Sequence, residues 1–140
     1  MFSRIRKIVK EYRELKYLAY HDSLTGLLNR NWLYKNIDQI KTNYVYFIDI
    51  NDLRKINENG HTAGDEYIKN IVNSVQLGEN DIFVRYAGDE FILFSNEFNM
   101  ICLNEKVCVG VAYINNNITE AINIADMNML KSKLFWKSDK

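Results

Sequence analysis

The 140-residue chain is long enough for one domain with a core of its own. Its formal net charge is zero, which removes any global attraction to nucleic acid or to an anionic membrane surface. A hydrophobic fraction of 47%, with no apolar run near the ~20 residues that span a bilayer, points to a globular fold without a membrane span.

In chain order, Phe2 to Ala19 reads as a helix. Phe2, Ile5, Val9, Tyr12 and Ala19 follow a 3-4 spacing, with Leu15 or Lys16 between. That spacing suits either a short coiled-coil seam or an amphipathic helix packed on its own domain. Arg4, Arg6, Lys7, Lys10, Arg13 and Lys16 are interrupted by Glu11 and Glu14, so this basic stretch reads as a solvated face. Met1 to Lys10 has no apolar signal-peptide core, and the expected location is the cytoplasm.

Asn31 to Ile40 is the second predicted helix, with Trp32, Leu33, Ile37 and Ile40 on one side. Tyr44 to Ile50 is β-branched and aromatic, as a strand buried on both faces would be. Asp49 lies at its end, where an unpaired charge is costly, so a metal or a hydrogen-bond network is expected there. Thr62 to Val75 reads as a helix with Ala63, Tyr67, Ile68, Ile71, Val72 and Val75 on its apolar face. Asp81 to Tyr86 and Phe91 to Phe94 read as strands joined by Ala87-Gly88-Asp89-Glu90. A small pair suits a tight turn and lets a ligand approach the backbone. Adjacent acids at such a tip suit a hard cation.

Met100 to Leu103 reads as extended chain that turns at Asn104-Glu105, followed by a strand over Lys106 to Ile114. Cys102 and Cys108 lack metal or redox spacing and read as buried, reduced thiols. Thr119 to Phe135 is the last helix, with Thr119 as its expected N-cap. Proline is absent, so Gly, Asn and Asp shape the loops.

Four ordered segments carry a resemblance. The first is Asp22-Ser23-Leu24-Thr25-Gly26-Leu27-Leu28-Asn29-Arg30. The second is Asp49-Ile50-Asn51-Asp52-Leu53-Arg54-Lys55-Ile56-Asn57 with Gly60-His61-Thr62-Ala63-Gly64-Asp65. The third is Ala87-Gly88-Asp89-Glu90-Phe91, and the fourth runs from Ala125-Asp126 through Lys133 to Lys137. Together they resemble the GGDEF family of diguanylate cyclases, from about Tyr20 to about Lys137.

The resemblance implies an α+β, palm-like fold with a ferredoxin-type antiparallel sheet. Residues 1–19 would form an N-terminal helix, with dimerisation as its possible role, and residues 20–140 a minimal GGDEF domain. Too few residues lie between Ser95 and Glu105 for the family's crossover helix, so that helix is expected to be missing. The sheet face it leaves would be covered by the N-terminal helix or by a second protomer.

The resemblance also implies the chemistry. Two GTP would condense into cyclic di-GMP and pyrophosphate across a homodimer, with Mg²⁺ or Mn²⁺ as cofactor. Asp49, Asp89 and the carbonyl of Ile50 would hold the metal. Glu90 would bind metal or handle the hydroxyl proton. Asn57 and Asp65 would read the guanine edge. Arg54 keeps the charge of the family's lysine. Gly88 would admit the α-phosphate, and Lys133 and Lys137 would hold the terminal phosphates. Asp22 and Arg30 read as structural, a cap and a charge partner.

The sequence departs from the family pattern at several points. Ala87 replaces the first glycine of the signature, Asn51 replaces an aspartate, and Trp136 replaces a glycine. The loop before Asp65 is one residue short. Gly78 stands where the arginine of the product-inhibition motif belongs, so feedback through that site is expected to be absent. These changes keep two other readings open. One is a non-catalytic domain that binds GTP or a protein. The other is a palm-type cyclase with another cyclic dinucleotide as product.

Overall fold

In a computed structural model of the chain, residues 1–98 and 105–139 are described. The elements are α1 (Phe2–Tyr20), β1 (Leu28–Asn29), α2 (Arg30–Asn36), a 3-10 turn (Ile37–Gln39), β2 (Tyr44–Ile50) and α3 (Leu53–Asn57). They continue with α4 (His61–Ser74), β3 (Ile82–Arg85), β4 (Glu90–Ser95), β5 (Val107–Tyr113) and α5 (Ile118–Ser138).

The strands form one sheet in the order β1-β3-β4-β2-β5. Strand β2 lies between β4 and β5 and runs antiparallel to both. The hairpin β3–β4 is antiparallel as expected. The sheet is nonetheless mixed. Leu28 and Asn29, read in the sequence only as part of a motif, pair in parallel with Val84 and Arg85. A two-residue strand is too short to show a period of its own, and its partner alone makes it one.

Alternation along β2 sends side chains to two cores. Val45 and Phe47 join Leu33, Val84, Ile92, Phe94, Ala121, Ala125 and Met129 beneath α2 and α5. Tyr46, Ile48 and Ile50 join Ile68, Ile71, Val72, Phe83, Phe91 and Leu93 beneath α4. Gly110 brings α5 close to the sheet: a Cβ there would collide with the Ala125 carbonyl and the Met129 amide. Trp136 packs at the margin of the α5 core.

Helix boundaries shift by one residue from their sequence positions, except that the second helix ends at Asn36 and passes into the 3-10 turn, α5 runs on from Phe135 to Ser138, and the short α3 was not expected. The cap of α5 is Asn117, not Thr119, because the Asn117 side chain accepts the Glu120 amide at 3.0 Å. Beyond its last turn, which Asn29 holds through the Ala19 carbonyl, helix α1 does not pack on its own domain. It buries no residue, and Ile5, Ile8, Tyr12 and Leu15 stay 52–65% exposed. It therefore does not cover the sheet. On the α4 side of β5, Val107, Val109 and Val111 are half-buried. The extended stretch expected at Met100 to Leu103, with Cys102 inside it and Asn104 at its turn, lies outside the described residues. Cys108 is buried and free, as expected.

Candidate active site

The end of β2 and the β3–β4 hairpin bring the predicted acids together. Asp49 stands opposite Glu90 across the β2–β4 ladder and opposite Cys108 across the β2–β5 ladder. The Ile50 amide donates to the Asp89 carbonyl at 2.9 Å, which locks the hairpin tip against the strand end. The tip closes through the Tyr86 and Ala87 amides, both donating to the Glu90 carbonyl at 2.8 and 3.1 Å. Among the described residues only Asp52 and Asn116 have positive φ without being glycine. Ala87 thus takes the first signature position without backbone strain, and Gly88 faces open space.

Two arginines fix this tip. Arg85 donates to both carboxylate oxygens of Asp22 (3.0 and 3.1 Å) and to the Gly88 carbonyl at 2.8 Å. Arg30 donates to the Tyr86 carbonyl at 2.9 Å and lies 4.2 Å from the Tyr86 ring centre. Asp22 also accepts from the amide and hydroxyl of Thr25, at 2.8 and 2.7 Å. Burial alone would raise the Asp22 pKa, but Thr25 and Arg85 outweigh it and hold the carboxyl below its usual range. The expectation that Asp22 is a helix cap is not met: it closes the turn through Thr25, and the cap of α2 is Asn29, whose side chain accepts the Trp32 amide at 3.0 Å. The charge partner is Arg85 and not Arg30, because the first strand places Asp22 beside β3.

Asp49 is only 4% exposed, an expensive position for a carboxylate. Its Oδ2 accepts from the Lys133 ammonium at 2.9 Å, while its buried Oδ1 has no partner. Desolvation raises the Asp49 pKa, against the opposing pull of Lys133. Glu90 is raised as well, first by desolvation, then by the negative charges of Asp49, Asp89 and Asp126. Lys133 is raised, chiefly by its bond to Asp49. Lys137 lies close enough to favour the Asp49 charge.

Asp49, Asp89, Glu90 and Asp126 thus converge with Lys133 and Lys137, and Lys133 holds one oxygen of Asp49. Among the described residues no three His, Cys, Asp or Glu side chains form a ready-made cation cage. The donor set still suits a hard cation: carboxylate oxygens, one of them buried and unpartnered. Asp49, Asp89 and Glu90 are the residues that would hold it, with the Ile50 carbonyl beside them.

The second group lies just beyond β2. Arg54 is exposed on α3, and Asn57 ends that helix. Asp65 is exposed at the start of the second turn of α4. Asn57 packs against Gly64, the residue before Asp65, despite the short loop. Asn51, where the family has an aspartate, is buried. Its amide donates to the Glu105 carbonyl at 3.1 Å, and its oxygen accepts from Cys108 Sγ at 3.2 Å. An aspartate could not make the first bond, so Asn51 serves as a pin for the start of β5.

Sequence reasoning did not single out Asp126, Arg85 or Gly64 as site residues. Asp126 was visible only as part of a helix motif. Arg85 has no local signal, since its partner is 63 residues away.

The diguanylate cyclase GGDEF-domain model matches residues 19–106. The chain is 34% identical over 96 residues to the diguanylate cyclase TpbB of Pseudomonas aeruginosa, covering 61% of this chain and 22% of that protein. It is 33% identical over 93 residues to the probable diguanylate cyclase DgcT of Escherichia coli, covering 60% of this chain and 21% of that one. The chain thus spans less than a quarter of the length of either relative. Among solved structures, a microbial GGDEF domain described with cyclic di-GMP superposes with a TM-score of 0.74. It is 29% identical, with 86% of this chain and 94% of that one covered. No helix among the described residues is long and apolar enough to cross a membrane. A family match over most of the chain, on a matching fold and with the signature acids side by side, means that this chain belongs to the GGDEF family.

Proposed function

We propose that this chain is a diguanylate cyclase of the cytoplasm that works as a homodimer. The observation that carries the reading is the Asp49–Glu90 register pair beside Asp89, with one Asp49 oxygen buried and unpartnered and the other held by Lys133. Each protomer binds one GTP, and two sites meet face to face. The 3′-oxygen of one nucleotide forms a bond to the α-phosphorus of the other. The bond to the β-phosphate breaks, and pyrophosphate leaves. Repeating the step in the other direction closes the ring.

Bound Mg²⁺ or Mn²⁺ would activate the hydroxyl and offset charge on the phosphate oxygens. Glu90, with its raised pKa, accepts the hydroxyl proton. Lys133 leaves Asp49 for the terminal phosphates, and Lys137, one turn further along α5, joins it. Arg54 contributes positive charge at the edge of the site. Gly88, facing open space, admits the α-phosphate. Asn57 and Asp65 read guanine.

Helix α1 supplies the dimer contact. A single 19-residue helix that buries nothing is marginal in water. Met1, Ile5, Ile8, Tyr12, Leu15 and Ala19 recur at alternating spacings of four and three, the pattern of a two-helix seam. Feedback by product is absent from the position of the family's inhibition motif. Asp81 there accepts the amide of Gly78 at 2.7 Å instead of facing an arginine.

One observation favours a GTP-binding module without turnover: the Lys133–Asp49 ion pair in place of a formed cation cage. Incubation of concentrated protein with Mg²⁺ and GTP, then ATP, then both, separates the readings by mass spectrometry. Cyclic di-GMP from the wild type, and none from Asp89→Ala, is the expected result. GTP binding without product from a proven dimer would replace the cyclase with the binding module. An adenine-containing product would assign another cyclic dinucleotide.

A further inference from the structure

The corner between α3 and α4 contains a glycine whose presence the backbone does not explain. Gly64 is buried in the first turn of α4. Its φ is not positive, unlike those of Gly26 and Gly60, so an alanine fits its backbone. Glycine is also a poor residue inside a helix. What a larger residue would displace is one side chain. A Cβ at position 64 would overlap Oδ1 of Asn57 and lie 2.9 Å from its Cγ and 3.5 Å from its Nδ2.

Asn57 cannot yield through its backbone. Its carbonyl accepts the Gly60 amide at 3.0 Å, and the Gly60 carbonyl accepts the Ala63 amide at 3.1 Å. The short loop therefore ties the end of α3 to the start of α4, and only the Asn57 carboxamide is left to move.

The pose of that carboxamide matters chemically. Its NH₂ matches the O6 acceptor of guanine, while its carbonyl matches the N6 donor of adenine. A freely turning amide serves either base. An amide seated against a bare Cα presents one arrangement.

We infer that Gly64 is a positioning residue for base selection: its missing side chain makes the seat that holds the Asn57 carboxamide in the orientation that favours guanine. The inference rests on the GTP reading above and adds to it the element that sets the choice of base.

The test is a double-mutant cycle on the full chain. GTP and ATP affinities are measured by calorimetry with Ca²⁺, for wild type, Gly64→Ala, Asn57→Ala and the double variant, with thermal melting alongside. Gly64→Ala is expected to weaken GTP by about tenfold, the scale of one lost hydrogen bond, and to leave ATP nearly unchanged. Its melting temperature should not fall, since alanine is the better helix former. In the Asn57→Ala background the same change should add nothing.

Unchanged GTP affinity would overturn the inference. So would a loss that persists without the Asn57 side chain, or a loss that follows from a lowered melting temperature. If the wild type itself shows no preference for GTP, the cyclase reading fails separately. The seat is then judged by NMR: Asn57 side-chain amide resonances that do not move in Gly64→Ala would overturn it.

Discussion

The hairpin tip and the α3–α4 corner flank the same strand end but are held by different forces. The tip, from Tyr86 to Glu90, is fixed by directional and charge-assisted bonds: Arg30 to Tyr86, Arg85 to Gly88 and Asp22, and the Ile50 amide to Asp89. The corner is fixed by a two-step backbone tie and by the fit of one carboxamide against one glycine. On the proposed function, geometry for chemistry is thus over-determined, whereas geometry for recognition rests on shape. Losing one bond at the tip should cost stability as well as rate. Adding one methyl at the corner should cost selectivity alone.

The largest expected effect sharpens this contrast at the tip. Arg85→Ala removes the ion pair with Asp22, made by one guanidinium nitrogen, and the bond to Gly88 together. Urea unfolding should show a loss of about 2 kcal/mol, the scale of hydrogen bonds to charged groups. The rate of product formation should fall by about tenfold or more, because a displaced tip misaligns the acids. A stable variant with full activity would show that the tip does not depend on Arg85.

A smaller effect is expected at Lys133. Removing its charge with Lys133→Gln frees the Asp49 oxygen that the ammonium now holds. Nucleotide-free protein should then bind Mn²⁺ about tenfold more tightly, as read by electron paramagnetic resonance of the free ion, a change worth ~1.4 kcal/mol. Equal affinity would mean that the ion pair opens at no cost and does not compete with a cation.

The smallest effect is a matter of sign. Glu90 has a raised pKa in the folded chain, so its ionised form is less favourable there than in the unfolded chain. Its penalty is absent below the ordinary glutamate value and sets in as pH rises through the raised folded value. Glu90→Gln should therefore match the wild type near pH 4 and melt about 1–3 °C higher at pH 7. Asp22 has the opposite sign. Its stabilisation is present above the ordinary aspartate value and is lost as pH falls through the lowered folded value. A Glu90→Gln variant that melts lower at pH 7 would contradict the electrostatic picture of the acid cluster.

Strand β2 is legible because five apolar and aromatic residues in a row, Tyr44 to Ile48, leave few alternatives, and Asp49 directly after them is conspicuous for the same reason. The hairpin was legible from its small turn residues. Strand β1 was not, since two residues have no period and become a strand only beside Val84 and Arg85. The cap of α5 was misplaced because Asn117 and Thr119 are both good caps, and the turn geometry decides between them. For α1, periodicity showed an apolar ridge but not which surface would meet it. That depends on how the chain leaves Tyr20, where the Ala19 carbonyl accepts from Asn29 and holds only the last turn.

Residue type and spacing along the sequence sufficed for the order of the longer elements, the identity of the acids and lysines, and the family resemblance that ordered motifs carry. These are local properties of residue type and spacing. Tertiary structure alone decided which groups meet. It set Lys133 on Asp49, with the bare Gly110 letting α5 lie close to the sheet. It assigned Asp22 to Arg85 and left α1, beyond its last turn, without a surface of its own domain. It also seated Asn57 on Gly64. Each of these depends on distances between segments remote along the chain, and such distances arise only when the sheet has formed and its two faces have been covered.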